Sequence, residues 1–309
     1  VSESNQVLVR YVAEGVYGTT PTNSSFWLRF PYTSESIGGE QDKRPSNIVT
    51  ANRVIPGMTE LRRSVGGSLE SELRYGWFDD LILAAFCGDQ WDADVVTLGT
   101  TDYSFSIEKE FADLASGKKF SLSDGMVVDG MELNMSHGDF VTVSFDFLGS
   151  DEELSATSAV GTGTETEPSA TSKSIAAALG FGSFSIDGSP NAAQIMSATF
   201  RIGNNNESRW ALGKLGASEQ DKGYGSVSGT LNCYLDVASM ALIDAGRANT
   251  NTRIQFTVSD EDGNSYAIDI PKARLSSRTP VSQGVNQRVM AELEYMAVID
   301  ETTITRSDA

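Results

Sequence analysis

The chain has 309 residues, 39% of them hydrophobic, and 42 Asp+Glu against 23 Lys+Arg give a formal charge of −19. That length has room for roughly two domains with real cores, and the charge disfavours a surface that grips nucleic acid by neutralising phosphates while favouring repulsion of other polyanions. No run of about 18 apolar residues is present to span a membrane, the polar opening VSESNQ is not expected to act as a signal peptide, and Cys87 and Cys233, each beside apolar neighbours, read as reduced, buried thiols.

In chain order, residues 1–17 read as an amino-terminal arm, polar at first and then alternating in VLVRYVAE. A turn-rich entry, GVYGTTP at 15–21, leads to a strand over 26–37 that carries Trp27 and Phe30. Residues 38–57 lack periodicity and hold Gly38-Gly39, Pro45 and Pro56. A loop of that length in a compact domain is expected to have a task, and its charged centre, Glu40, Asp42, Lys43 and Arg44, suits a partner surface. Residues 61–75 return as a long strand. The stretch 66–88, GGSLESELRYGWFDDLILAAFCG, organises what surrounds it. Leu69, Ser71 and Leu73 alternate with Ser68, Glu70 and Glu72. After Tyr75-Gly76 the spacing turns helical over 77–87, with Asp79 and Asp80 in the first turn and Gly88 placed to cap. Such a short helix, apolar nearly all round, is stable only as a plug on a sheet. Strands at 103–111, 119–122, 127–135 and 140–148 follow, with turns at Gly117, Asp124-Gly125, Asp129-Gly130 and His137-Gly138-Asp139, so the pairing is an antiparallel meander.

Residues 155–174, SATSAVGTGTETEPSATSKS, change texture and read as a flexible linker. Beyond them, strands are expected at 195–202, 209–215, 225–235, 253–259, 266–270, 273–275 and 286–299, a helix at 237–245, a tight turn at Asp262-Gly263, and a polar tail over 301–309. Residues 226–246, SVSGTLNCYLDVASMALIDAG, repeat the order of 66–88: strand, aromatic, acid, short apolar helix, glycine. FVTVSFDFL at 140–148 is likewise matched by RVMAELEYM at 288–296. The order implies an internal duplication, with too few copies for a solenoid. The expected fold is therefore mainly β: two tandem β-sandwich domains, 1–154 and 175–309, each with one short flanking helix. The second has no evident twin of the 38–57 loop.

Motifs for chemistry are missing. The single histidine, His137, sits in the turn SHGD without a second ligand or base nearby. DEDGN at 260–264 lacks the ligand spacing of a calcium loop, GSVSG at 225–229 has its serines at the wrong offsets for a nucleophile elbow, and no phosphate-binding loop follows a strand. Glu70/Glu72 and Glu292/Glu294 each share a strand face without an electrophile or metal beside them. No catalytic, cofactor or metal site is expected.

The residues Glu14–Pro21, the aromatic strand with Trp27, Gly66–Leu73, Tyr75–Leu81 with the apolar helix, and Phe145–Gly149 together resemble the major tail tube proteins of long-tailed phages. The resemblance implies a structural protein with β-sandwich domains. Their sheets join edge to edge between subunits into a β-barrel ring, and rings stack into a tube that conducts DNA into the host. If the usual ring holds six single-domain subunits, a duplicated chain forms it from three copies with pseudo-sixfold symmetry. Glu70, Glu72, Glu132, Asp146, Glu292 and Glu294 are then expected to line the lumen, where negative charge repels DNA and lets it slide. The 38–57 loop with Glu40, Asp42, Lys43 and Arg44, the arm and the tail become ring-to-ring contacts. Implied partners are further copies of the chain, a tape measure protein, and terminator and tip proteins. DNA passes without specific binding, no cofactor or membrane insertion is involved, and the protein belongs in the virion tail after assembly in the host cytoplasm. Two other readings are a ring protein of a contractile injection or secretion system and a tail-tip β-sandwich binding module. The last calls for aromatics exposed on loops, whereas Trp27, Trp77, Trp91 and Trp210 sit in or beside periodic segments.

Overall fold

Alternating burial, the mark of strands with one face on a core and one in solvent, runs through most of the chain. The computed structural model describes residues 3, 6–49, 53–169, 172–190, 193–281, 288–298 and 301–309. The first half runs β1 (Val7–Ala13), β2 (Trp27–Arg29), β3 (Ser34–Glu35), β4 (Gly38–Pro45), β5 (Met58–Glu72), α1 (Asp79–Ala85), β6 (Val95–Thr97), β7 (Phe105–Phe111), β8 (Phe120–Ser136), β9 (Thr142–Gly149) and β10 (Asp151–Ser155). The second runs β11 (Glu165–Thr166), α2 (Ala177–Gly180), β12 (Phe181–Ile186), β13 (Ser189–Pro190), β14 (Ile195–Gly203), β15 (Glu207–Arg209), β16 (Glu219–Asp221), β17 (Ser226–Tyr234), α3 (Val237–Arg247), β18 (Asn251–Ser259), β19 (Ser265–Ser277), β20 (Met290–Ala297) and β21 (Thr303–Ser307). The fold is mainly β, as expected. Among the described residues no helix is long and apolar enough to cross a membrane.

Each half has an outer and an inner sheet. The first outer sheet is β2–β1–β7–β8–β10, and the first inner sheet is β4–β5–β9–β8, with β3 extending β4 along β5. In the second half the outer sheet is β12–β18–β19–β21, with β6 of the first half added beside β21. Its inner sheet is β14–β17–β20–β19. β14 also pairs with β8, so the two inner sheets merge into one of eight strands, four from each half. Helix α1 packs on β8 and α3 on β19, and one continuous core joins Leu69, Phe145 and Ile82 to Phe200, Leu293 and Ile243.

A local device occurs in both halves. The Ser68 N–H donates to Ser36 Oγ (2.9 Å), and the two hydroxyls lie 3.1 Å apart. The Thr230 N–H donates to Thr199 Oγ1 (2.9 Å), with the hydroxyls 2.9 Å apart. Each donor follows a glycine pressed on the facing backbone: a Cβ at Gly67 would lie 2.4 Å from the Ser36 carbonyl oxygen, and one at Gly229 2.1 Å from that of Thr199. No side chain fits at either position.

Several expectations change. β8 is one strand of 17 residues, not two strands around a turn. Gly125, at φ 60°, makes a bulge in the β7–β8 ladder, and β8 passes there from outer to inner sheet. Within the expected arm, Val7–Ala13 are strand β1, which lies between β2 and β7 with Val9, Tyr11 and Val12 buried; residues 1, 2, 4 and 5 lie outside the described residues. The polar tail contains strand β21, whose Ile304 is buried. Of the 38–57 loop, the first eight residues are β4, a strand without hydrophobic period because the hairpin protrudes and neither face meets a core. Only Trp27–Arg29 and Ser34–Glu35 of 26–37 are strand. Cys87, at φ 49°, takes the left-handed position after α1, and Gly88 is needed instead for space, since its Cβ would lie 2.7 Å from Val96 Cγ2. The stretch 155–169 lies along the first outer sheet: β11 pairs with β2, Val160 packs with Val12 and Trp27, and Ser158 Oγ donates to Glu108 (2.7 Å).

Beside the β8 crossing, burial and the nearby Glu14 carboxylate push Asp124 up to about 6. Its folded-state pKa is raised, so the neutral form is favoured and the associated stability is present at low pH and lost as pH rises through about 6. Asp124→Asn is expected to raise the melting temperature at pH 7.5 and leave it unchanged at pH 4, checked by calorimetry at both.

Candidate functional site

The merged inner sheet turns one set of side chains to the core and the other outward. Strand parity decides which, because successive residues point to opposite faces. In β9, Val143, Phe145 and Phe147 are buried while Thr142, Ser144 and Asp146 face out. The ladders then carry the outward row from strand to strand. Ser68 lies opposite Asp146 and Glu70 opposite Ser144; Glu132 also lies opposite Ser144; Arg201 lies opposite Glu132; and Thr230 and Asn232 lie opposite Glu294 and Glu292. All six predicted carboxylates, Glu70, Glu72, Glu132, Asp146, Glu292 and Glu294, therefore stand on one face, none of them buried. Between them are short polar groups, Ser144, Thr199, Ser228, Thr230 and Asn232. Arg201 was not foreseen. It pairs with Glu132 (3.3 Å) and Asp146 (3.5 Å) across the β14–β8 seam, and all three are substantially exposed, so the contact is weak.

The seam between the halves is made chiefly of backbone. Seven consecutive residues of β14 pair with β8, from Ser197↔Ser136 to Gly203↔Gly130. Past its end, the Asn204 N–H donates to the Asp129 carbonyl (2.7 Å) and the Asn206 N–H to Asp129 Oδ1 (2.6 Å). The Asn204 amide donates to the carbonyls of Val128 (3.0 Å) and Ala85 (3.1 Å). The outer layer holds the seam too: Tyr266 OH donates to Asp79 and accepts from the Gly76 N–H (2.9 Å), and Arg306 bridges Asp79 and Asp94.

The charged residues expected to touch a partner lie in the shaft of the β4–β5 hairpin, where Asp42 opposes Arg62, Lys43 opposes Glu60 and Arg44 opposes Thr59. Beyond the shaft is an apolar tip. Ile48, Val49, Val54, Ile55 and Met58 are between 64% and 97% exposed. The signal was present in the sequence as two β-branched pairs, 48–49 and 54–55, in a polar excursion. A counterpart of this excursion does exist in the second half, at 204–225 between β14 and β17. It folds back on the first half: the Arg63 N–H donates to the Leu215 carbonyl (2.9 Å), Gln220 Nε2 to the Gly149 carbonyl (3.1 Å), and Lys222 to the carbonyls of Thr100 and Thr101 (2.6 Å each).

Among the described residues no group of three or more His, Cys, Asp or Glu side chains could hold a metal ion. The acidic turn at 260–264 is closed by its own Asp260, whose carboxylate accepts from the backbone of Asp262 (2.9 Å) and Asn264 (3.0 Å).

The family model described as phage tail tube protein matches residues 4–297. The chain belongs to the phage tail tube protein family. Curated proteins gave no match. The family is one of structural proteins of the virion tail that assemble with their own copies into a tube, and an eight-stranded sheet with a wide polar face suits that part.

Proposed function

We propose that three copies of the chain close into a ring around the polar face of the merged sheet, and that rings stack into the tube of a long, flexible phage tail through which DNA is ejected. The observation that supports this reading is the inner sheet itself. It has four strands from each half in the same order, a polar and mostly acidic face, and, among the described residues, an unpaired edge at either end. Open edges of this kind call for a partner strand, and a head-to-tail contact between unlike edges closes into a ring when its rotation permits. Three copies supply about 24 strands. At about 4.8 Å per strand that is a barrel about 37 Å wide at the backbone before tilt widens it, a bore suited to one duplex, whereas six copies would double it.

On this reading the two halves are duplicated tail tube domains, 1–154 and 175–309, and Glu70, Glu72, Glu132, Asp146, Glu292 and Glu294 line the channel. The β4–β5 hairpin reaches the adjacent ring. The tape measure protein fills the bore before ejection, and terminator and tip proteins close the two ends. Negative-stain microscopy of the purified protein is expected to show hollow tubes or rings, with threefold class averages. Monodisperse compact monomers at high concentration would overturn the reading.

A further inference from the structure

The β14–β8 seam inside one chain offers a template for pairing between chains. The paired glycine and hydroxyl devices set Gly67 against Gly229, Ser36 against Thr199 and Ser68 against Thr230, which fixes how the halves superpose in sequence. One cross-strand row of the first half is then Glu35, Leu69, Phe145, Met131. The matching row of the second is Ala198, Leu231, Leu293, Ser277. Bulges agree with this superposition: the β7–β8 ladder shifts between Phe105 and Ile107, the β18–β19 ladder between Thr252 and Ile254. Within the chain, Ile202, four residues past Ala198, pairs with Met131. The same step from Glu35 leads to Gly39, whose counterpart partner is Ser277.

Resting on the ring reading above, we propose that residues 35–40 of one copy pair antiparallel with residues 276–281 of the next, with Gly39 opposite Ser277 and Gly38 opposite Arg278. Both edges carry marks of it. On the first, the groups that point away from β5 are held by side chains of the same chain: the Ile37 carbonyl accepts from Lys109 Nζ, and the Gly39 N–H donates to Glu152 Oε2 (2.8 Å). The lone chain thus leaves neither group unsatisfied, and a neighbouring strand replaces these caps one for one. On the second edge, the Ser277 Oγ is buried without a hydrogen-bond partner, and β19 pairs with β20 through Ser277 on one side while its ladder to β18 ends at Arg274. The charge pattern also carries over. Inside the chain Arg201 meets Glu132 and Asp146; between chains Arg278 stands in the place of Glu132, beside Glu294 in the place of Asp146 and diagonal to Glu40 of the next copy. One guanidinium among carboxylates results at either seam.

Directly opposed residues of an antiparallel pair, as Arg201 and Glu132 are, have Cα atoms about 4.5–5.5 Å apart, within the span of a disulfide, so on this register Gly38 and Arg278 are a linkable pair. The full chain carrying Gly38→Cys and Arg278→Cys, assembled and then oxidised with copper phenanthroline, is expected to give a ladder of linked chains on denaturing gels that ends at three. Asp42→Cys with Arg278→Cys, four residues out of register, is expected to stay unlinked. If the first pair fails to assemble, Ser36→Cys with Pro280→Cys reads the same register. Intact tubes that link only through the off-register pair, or through none of them, overturn the proposed pairing and leave the tube standing. Absence of rings in the unsubstituted protein overturns the ring reading instead. A ladder ending at six keeps the pairing and refutes the threefold count.

Discussion

Rings carrying Val49→Asp and Ile55→Asp are expected to close but not to stack. Both side chains stand towards the tip of the β4–β5 hairpin, 97% and 64% exposed among the described residues. Burying an aliphatic side chain of this size is worth about 1.5–3 kcal/mol. Losing two per tip removes about 3–6 kcal/mol per contact, more than a hundredfold in the stacking constant. Burying a carboxylate in their place makes the loss larger. Sedimentation of assembly mixtures with microscopy of the supernatant checks this: short rings in the supernatant and no pellet are expected, and tubes of normal length would show that the tip is not the contact. Reversing Lys43 and Arg44 in the shaft is expected to do much less. Those side chains are exposed, Arg44 is paired with Asp42 at 3.6 Å, and exposed pairs are worth about 0–1 kcal/mol and weaken in salt.

Phage built with Glu70, Glu72, Glu292 and Glu294 all changed to Lys are expected to assemble normally and eject DNA slowly. The four lie on strand positions whose backbone partners are unchanged by the substitution, and their side chains stand on the outward face of the merged sheet. On the ring reading, four negative charges per chain in the bore would be replaced by four positive ones, a net shift of about eight, against a duplex that carries one negative charge per about 1.7 Å of axis. Dye-accessible DNA after triggered ejection is expected to appear at least tenfold more slowly at low ionic strength. The difference should shrink as salt rises, because released counterions supply most of the attraction. Ejection at the unsubstituted rate in low salt would place these residues away from the channel.

Much of this was legible in the sequence, and what was not has physical causes. Strands β5, β9, β17 and β20 announce themselves because one face of each packs on a core, so hydrophobicity alternates with strand period. The same parity sets each of the six carboxylates on the opposite face from apolar neighbours on its own strand, while only the ladders join them into one face. Strand β4 gave no such signal, since its hairpin meets no core and both of its faces are solvated. Asp124-Gly125 has the chemistry of a hairpin turn, but a left-handed glycine also serves a bulge, and only the partner strands decide between the two. β21 has a single buried apolar residue, Ile304, too few for a period to appear. The apolar hairpin tip carries only two β-branched pairs among polar and charged residues, again too few for a period to appear.

The two excursions, 204–225 folded against its own chain and the β4–β5 hairpin with its exposed 47–49 and 53–57, break the likeness of the halves at the rim while leaving it whole at the sheet. In a ring of three such chains the passing genome would meet six nearly equivalent sectors, a smooth wall with no preferred rotational setting. The end faces would instead carry three pegs, so that each added ring seats in steps of 120° and the tube transmits torsion as well as length.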